Sequence, residues 1–175
     1  MNPGGIPPLH QSLLDDPTLE IGDQPRAPLL QEFLAAWSAW PKTGPLPRRA
    51  AFDPIDFPRL LHWIGLQEFT GHPNRYRAYD ALYRYVGSSR AELFRAANMT
   101  GTYVSAMQDP FPERWFSVYD QLIERRTPLV VRGRPYLVAK AFMRFEMLVL
   151  PLCRNDDAAG ETVAFNLSCV QVEAA

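Results

Sequence analysis

Apolar residues recur at helical spacing in two stretches and at a spacing of two in several others. Leu30, Phe33, Leu34 and Trp37 fall on one face of a helix running from about Pro28 to Trp40. Pro28 suits its first turn and Pro41 stops it. Trp115, Val118, Tyr119 and Leu122 make one face of a second helix, which starts at Asp109-Pro-Phe-Pro112 and ends at Thr127-Pro128. Between these helices, residues 63–70 and 75–86 read as two antiparallel strands joined by the turn 71–74, with Tyr79, Ala81, Tyr83 and Tyr85 in alternation. Short helices are expected at 90–97, capped by Ser89, and from about Thr102. A short helix through Leu61 has Asp53 or Asp56 as its cap.

The last third alternates with period two. Residues 129–132, 137–151 and 162–172 read as three antiparallel strands, the last two joined by the turn 155–160. Met143, Phe145, Met147 and Val149 share a face opposite Arg144 and Glu146. Val163, Phe165, Leu167 and Cys169 share a face opposite Asn166 and Ser168. Such alternation implies one buried and one largely wet face. Two strands, a run of helices and three further strands give an α+β domain with helices over one face of one sheet.

Three segments organise the chain. Residues 1–27 form a Pro/Gly-rich tail, in which Leu13, Leu14 and Leu19 are the residues able to dock. Residues 28–62 hold the amphipathic helix and a connector, and residues 63–175 the core domain. The stripe Leu30, Phe33, Leu34 and Trp37 has two possible covers, its own core or a second copy of the chain. Because the helix precedes a complete α/β unit, the expectation is a homodimer through these four residues.

Composition narrows the function. The net charge of −1 gives no field for nucleic acid or an anionic surface. Arg125, Arg126, Arg132 and Arg134 form the nearest basic group and read as a solvated rim. No signal-peptide pattern and no membrane-length apolar run is present, so a cytoplasmic location is expected, with Cys153 and Cys169 both free.

Catalytic and cofactor chemistry finds little support. Phosphate-loop and dinucleotide glycine motifs are absent, as is the nucleophile elbow of hydrolases. His10, His62 and His72 are too few and too scattered for a metal site. No bound cofactor is expected. The rival reading is a small cone-shaped α+β enzyme of isomerase or dehydratase type with an enclosed apolar pocket. Asp80 with His62 or His72 would be its acid–base pair.

Three segments carry a family resemblance. Trp37 is followed by Gly44-Pro-Leu-Pro-Arg-Arg-Ala-Ala-Phe-Asp-Pro54 and then by Leu60-Leu-His-Trp-Ile-Gly-Leu66. Tyr83-Arg-Tyr-Val-Gly-Ser88 follows, and then Asn98-Met-Thr-Gly101. Their order resembles the short stand-alone PAS family of alphaproteobacteria over about residues 29–172, with Ser88 where that family usually has Thr. The resemblance implies a PAS fold, a five-stranded antiparallel sheet with helices on one face and strand order 2-1-5-4-3. It also implies a sensory or regulatory module without catalytic residues. Haem-binding PAS domains use a helix His and photoactive flavin ones a reactive helix Cys. Residues 90–126 hold no His, and neither Cys sits in such a context.

Tyr103, Trp115, Tyr119, Met143, Phe145, Met147 and Phe165 are the candidate walls of a small, mostly apolar ligand pocket between the second helix and the sheet. Dense packing of the same residues is the alternative. Arg84, opposite Tyr83 and Tyr85 in parity, is read as solvated or held in an internal salt bridge. The expected activity is therefore non-catalytic: binding of a small apolar signal, of a signalling partner protein, or of both.

Overall fold

The computed structural model describes residues 18–94, 99–107, 111–135 and 143–173. Its centre is a six-stranded antiparallel sheet built from β1 (Glu20–Gly22), β2 (Ile64–Thr70), β3 (Asp80–Val86), β4 (Leu129–Gly133), β5 (Arg144–Leu152) and β6 (Phe165–Glu173). The order across the sheet is β1-β4-β5-β6-β2-β3. The five strands read from the pattern therefore lie in the expected order, the first beside the last. The sixth strand, β1, lies inside the stretch read as a tail. It pairs Glu20 with Arg132 and Gly22 with Val130 at the outer edge of β4. Three residues between Asp, Gly and Pro carry too little alternation to be read as a strand.

Helix α1 (Pro28–Ala39) has the expected bounds but not the expected surroundings. Its N-cap, Ala27, offers no side-chain acceptor. The buried Glu146 carboxylate of β5 substitutes, accepting the N–H groups of Arg26 and Ala27 at 2.8 Å each. Glu146 also takes Nε of Arg132 at 2.8 Å. At the other end the Lys42 ammonium donates to the carbonyls of Trp37 and Ser38 and lies 4.6 Å from the Trp37 ring centroid.

The stripe of α1 is buried by its own chain. Leu30 and Phe33 are 0% exposed and Trp37 7%. They pack with Phe52, Leu148, Leu150, Leu152, Leu167 and Cys169 on one face of the sheet, and Leu34 rests partly buried on the same layer. Trp37 donates from Nε1 to the Pro151 carbonyl, fixing the helix over β5. The interface expected between two copies is thus an interior contact, and the stripe no longer calls for a second chain. Asp53 caps a short turn by accepting from Ile55 N–H at 3.0 Å.

The opposite face carries α2 (Ser88–Leu93) and α3 (Glu113–Arg125). From α3, Trp115, Phe116, Val118, Tyr119 and Leu122 are buried against Val131, Phe145, Met147 and Val149. Helix α3 stops where Arg126 turns into the left-handed region at φ 56° and donates its N–H to the Leu122 carbonyl. Among the described residues both faces of the central strands β5 and β6 are covered, so the largely wet face that the alternation suggests is not found there. Parts of the expected strand 137–151 and short helix 90–97 lie outside the described residues.

A candidate ligand-binding interior

The polar positions of the central strands do not reach solvent. On the face toward α2 and α3, β2 and β6 place two cross-strand pairs side by side: Gly65 with Ser168, and Gln67 with Asn166. Gln67 and Ser168 are 0% exposed and Asn166 1%. Asn166 donates from Nδ2 to Gln67 Oε1 at 2.7 Å, and Gln67 donates from Nε2 to the Tyr119 hydroxyl at 2.9 Å. Burial pushes the Tyr119 hydroxyl well above its ordinary pKa. Among the described residues Asn166 Oδ1 has no hydrogen-bond partner.

The turn out of β3 brings a charge into this layer. At Gly87 the chain passes so close to the preceding segment that a Cβ would lie 2.3 Å from the His62 carbonyl oxygen, and α2 starts immediately after it. Arg90 then lies flat over Gly65, where a Cβ would come within 2.6 Å of Arg90 Nε. The Arg90 side chain is 3% exposed. Its two terminal nitrogens sit 3.9 and 3.8 Å from the Met147 sulfur, and its carbon lies 5.7 Å from the Phe94 ring centroid. A thioether is a weak acceptor. Arg90 Nε has no partner, and among the described residues no carboxylate pairs with this guanidinium.

Five of the seven candidate pocket residues belong to this layer. Phe145 and Trp115 stack at 6.1 Å, with the Phe94 ring edge-on to both. Met147 meets Arg90, Tyr119 meets Gln67, and Met143 packs partly buried at the margin. Tyr103 lies on the outer side of β3, bridged to Leu82 and stacked on His72 at 4.9 Å. Phe165 is misplaced by the alternation reading. The register pairs Leu152 with Phe165 and Leu150 with Leu167, so both residues face the α1 layer, away from Phe145 and Met147. Parity along one strand shows which residues share a face, but not which faces of two strands coincide. In the sequence Arg90 and Gln67 carry no functional pattern, and Asn166 and Ser168 read as a wet face. The available signal was Arg90 three residues after the Gly87 turn, on the short helix that crosses the sheet.

A groove of about 580 Å³ opens elsewhere, between β1 and the start of α3, lined by Leu19, Ile21, Tyr76, Pro112, Glu113 and Val118. The acid–base pair of the enzyme reading is not assembled. Asp80, 0% exposed, accepts from Ala81 N–H and from the hydroxyl and N–H of Ser105. His62 bonds Ser88 at 2.9 Å and His72 lies on Tyr103. Arg84 pairs with Glu68, which also takes Arg154 at 2.8 Å. Among the described residues no cluster of three or more His, Cys, Asp or Glu could hold a metal ion, and no helix is long and apolar enough to cross a membrane.

The class defined is thus an α+β domain whose antiparallel sheet carries helices on both faces, with buried polar side chains beneath them. Compared with family models, with curated proteins and with solved structures, the chain finds no match in any of the three.

Proposed function

We propose that the chain is a PAS-type sensory or regulatory domain, which binds a small molecule, a partner protein or both and performs no chemistry on them. One observation carries the reading: β2 and β3 stand beside β6 at one end of the order β4-β5-β6-β2-β3, and the helices that link β3 to β4 lie over one face. The layer between the sheet and these helices, which holds Arg90, Gln67 and Asn166, is where such a domain would take a small ligand. The helix α1 and the strand β1 are additions to this scheme, closing the second face and one edge. Output by protein contact agrees with a chain in which Asp80, His62 and His72 are engaged in separate structural contacts.

Native mass spectrometry of the purified full chain, followed by denaturing spectra, tests this reading. A non-covalent adduct of defined mass, or a stoichiometric partner, is the expected result. A bare chain that no compound of a broad metabolite set stabilises, and that no protein joins, would remove the basis for a sensory role.

A further inference from the structure

Buried charges in folded proteins are paired, because an unpaired ion in a low-dielectric interior is costly. Arg90 departs from this rule. A guanidinium is a planar, delocalised cation with five N–H donors. Arg90 is 97% removed from solvent, counting from its 3% exposure, and its described contacts are a sulfur, an aromatic face and the bare backbone of Gly65. Every other described buried charge that the strands contribute is answered: Glu146 by Arg132, Glu68 by Arg84 and Arg154, and Asp80 by Ser105. A second orphan lies nearby. Asn166 is the diagonal neighbour of Gly65 across the β2–β6 ladder, about 7–8 Å away between backbones, on the face where Arg90 lies. Its Oδ1 is an acceptor with no donor. The surrounding surface is apolar and aromatic: Phe94, Trp115, Phe145 and Met147.

We propose that Arg90 is the carboxylate-binding residue of an internal site for a small apolar organic acid. Where the acid also carries a hydroxyl or N–H group, Asn166 Oδ1 is the acceptor that takes it. A guanidinium fork fits a carboxylate with two parallel N–H···O bonds, and the rings and Met147 suit an apolar body. This rests on the sensory-domain reading and gives its signal a chemical class.

The test is thermal unfolding and calorimetric titration of the full chain with benzoate, butyrate and succinate. Benzyl alcohol and butanol serve as uncharged counterparts, and sulfate as an inorganic anion. At least one acid raises the melting temperature saturably while its uncharged counterpart does not. Arg90→Met abolishes that shift, and its own melting temperature without acid stays at or above that of the natural chain, because an unpaired charge has gone. Arg90→Lys, which keeps the charge and loses the fork, weakens the acid by about tenfold or more. This variant decides the matter if Arg90→Met fails to fold. An acid-dependent shift that survives in both variants overturns the proposal. So does a natural chain that responds to sulfate alone or to no acid. Stabilisation by a neutral compound, equal in the natural chain and in Arg90→Met, would sink the acid site while leaving a sensory domain standing.

Discussion

Phe33→Ala removes the ring at the centre of the α1 layer. Phe33 is 0% exposed and meets Phe57 at 4.8 Å, Phe52 at 6.4 Å and Trp40 at 6.5 Å, all edge-on. Truncating a buried Phe costs about 3–5 kcal/mol, and more where the walls cannot collapse. Three rigid rings and the strand face behind them close poorly over the gap, so the upper part of that range applies. For a chain of this size each kcal/mol shifts the melting temperature by about 2–4 °C, giving a drop of roughly 8–20 °C. Urea unfolding followed by tryptophan fluorescence measures the loss directly. Run at two protein concentrations about tenfold apart, it also separates an interior contact from an interface. The expected midpoint is low and the same at both concentrations, and light scattering shows no change of mass. Ile55→Ala is the control: Ile55 is 82% exposed, and its loss changes stability by less than about 0.5 kcal/mol. A Phe33→Ala loss under about 1 kcal/mol, or a midpoint that climbs with concentration, would refute the assignment of α1 to its own chain.

Other perturbations probe the opposite face. Tyr119→Phe leaves Gln67 Nε2 buried without its acceptor and lowers unfolding free energy by about 1–3 kcal/mol; an unchanged urea midpoint means that the bond is not made. Gly65→Ala drives a methyl group into Arg90 and costs about 1–3 kcal/mol, whereas a neutral outcome would show that Arg90 is not seated there. Burial pushes the Cys169 thiol from 9.0 up to about 12 and the Tyr119 hydroxyl well above 10.0, so the fold favours both neutral forms. Their contribution is full below the unfolded values of 9.0 and 10.0 and is lost as pH rises toward the folded ones. The urea midpoint should therefore hold steady up to pH 9 and fall beyond it, and a midpoint rising between about pH 9 and 11 would contradict this sign. Both thiols are buried, so a thiol reagent modifies them rapidly only in denaturant; fast native labelling of either would place it at the surface.

Much of the scaffold was legible because periodicity reports local geometry. Helix α1 begins at Pro28, and α3 presents Trp115, Val118, Tyr119 and Leu122 inward, as the spacing of apolar residues requires. Arg84 takes the internal salt bridge that its parity allowed. The site was less legible because alternation marks faces without saying what covers them. Asn166 and Ser168 read as a wet face, since polar residues alternate with Leu167 and Cys169. Here both sides of β6 are buried: Asn166 donates to Gln67 and Ser168 to the Gly65 carbonyl, while Asn166 Oδ1 is left over among the described residues. Phe165 was grouped with Met147 because both lie on apolar stripes, and only the β5–β6 register separates them. The stripe of α1 gave an apolar face and nothing about its partner: the β5 and β6 residues beneath it stand more than a hundred positions away, as the Trp37–Pro151 bond shows at a separation of 114. Arg90 is an ordinary surface residue by type, and only the turn at Gly87 and the missing Cβ of Gly65 place it inside.

The position of β6 has a consequence for synthesis on the ribosome. It is the last strand in chain order, yet it lies between β5 and β2. Its contacts with β2 span about a hundred positions, 99 for Asn166 with Gln67 and 103 for Ser168 with Gly65. A nascent chain that has released β5 but not β6 holds the β2–β3 hairpin on one side and β4–β5 on the other, with no strand joining them. Both the α1 stripe and the Tyr119 face then lack part of their cover. Long-range pairing of this kind forms slowly, and exposed apolar faces invite association with other chains in the meantime. The two layers close together when the final strand arrives, so folding of this domain follows translation of Phe165–Glu173 and does not accompany it.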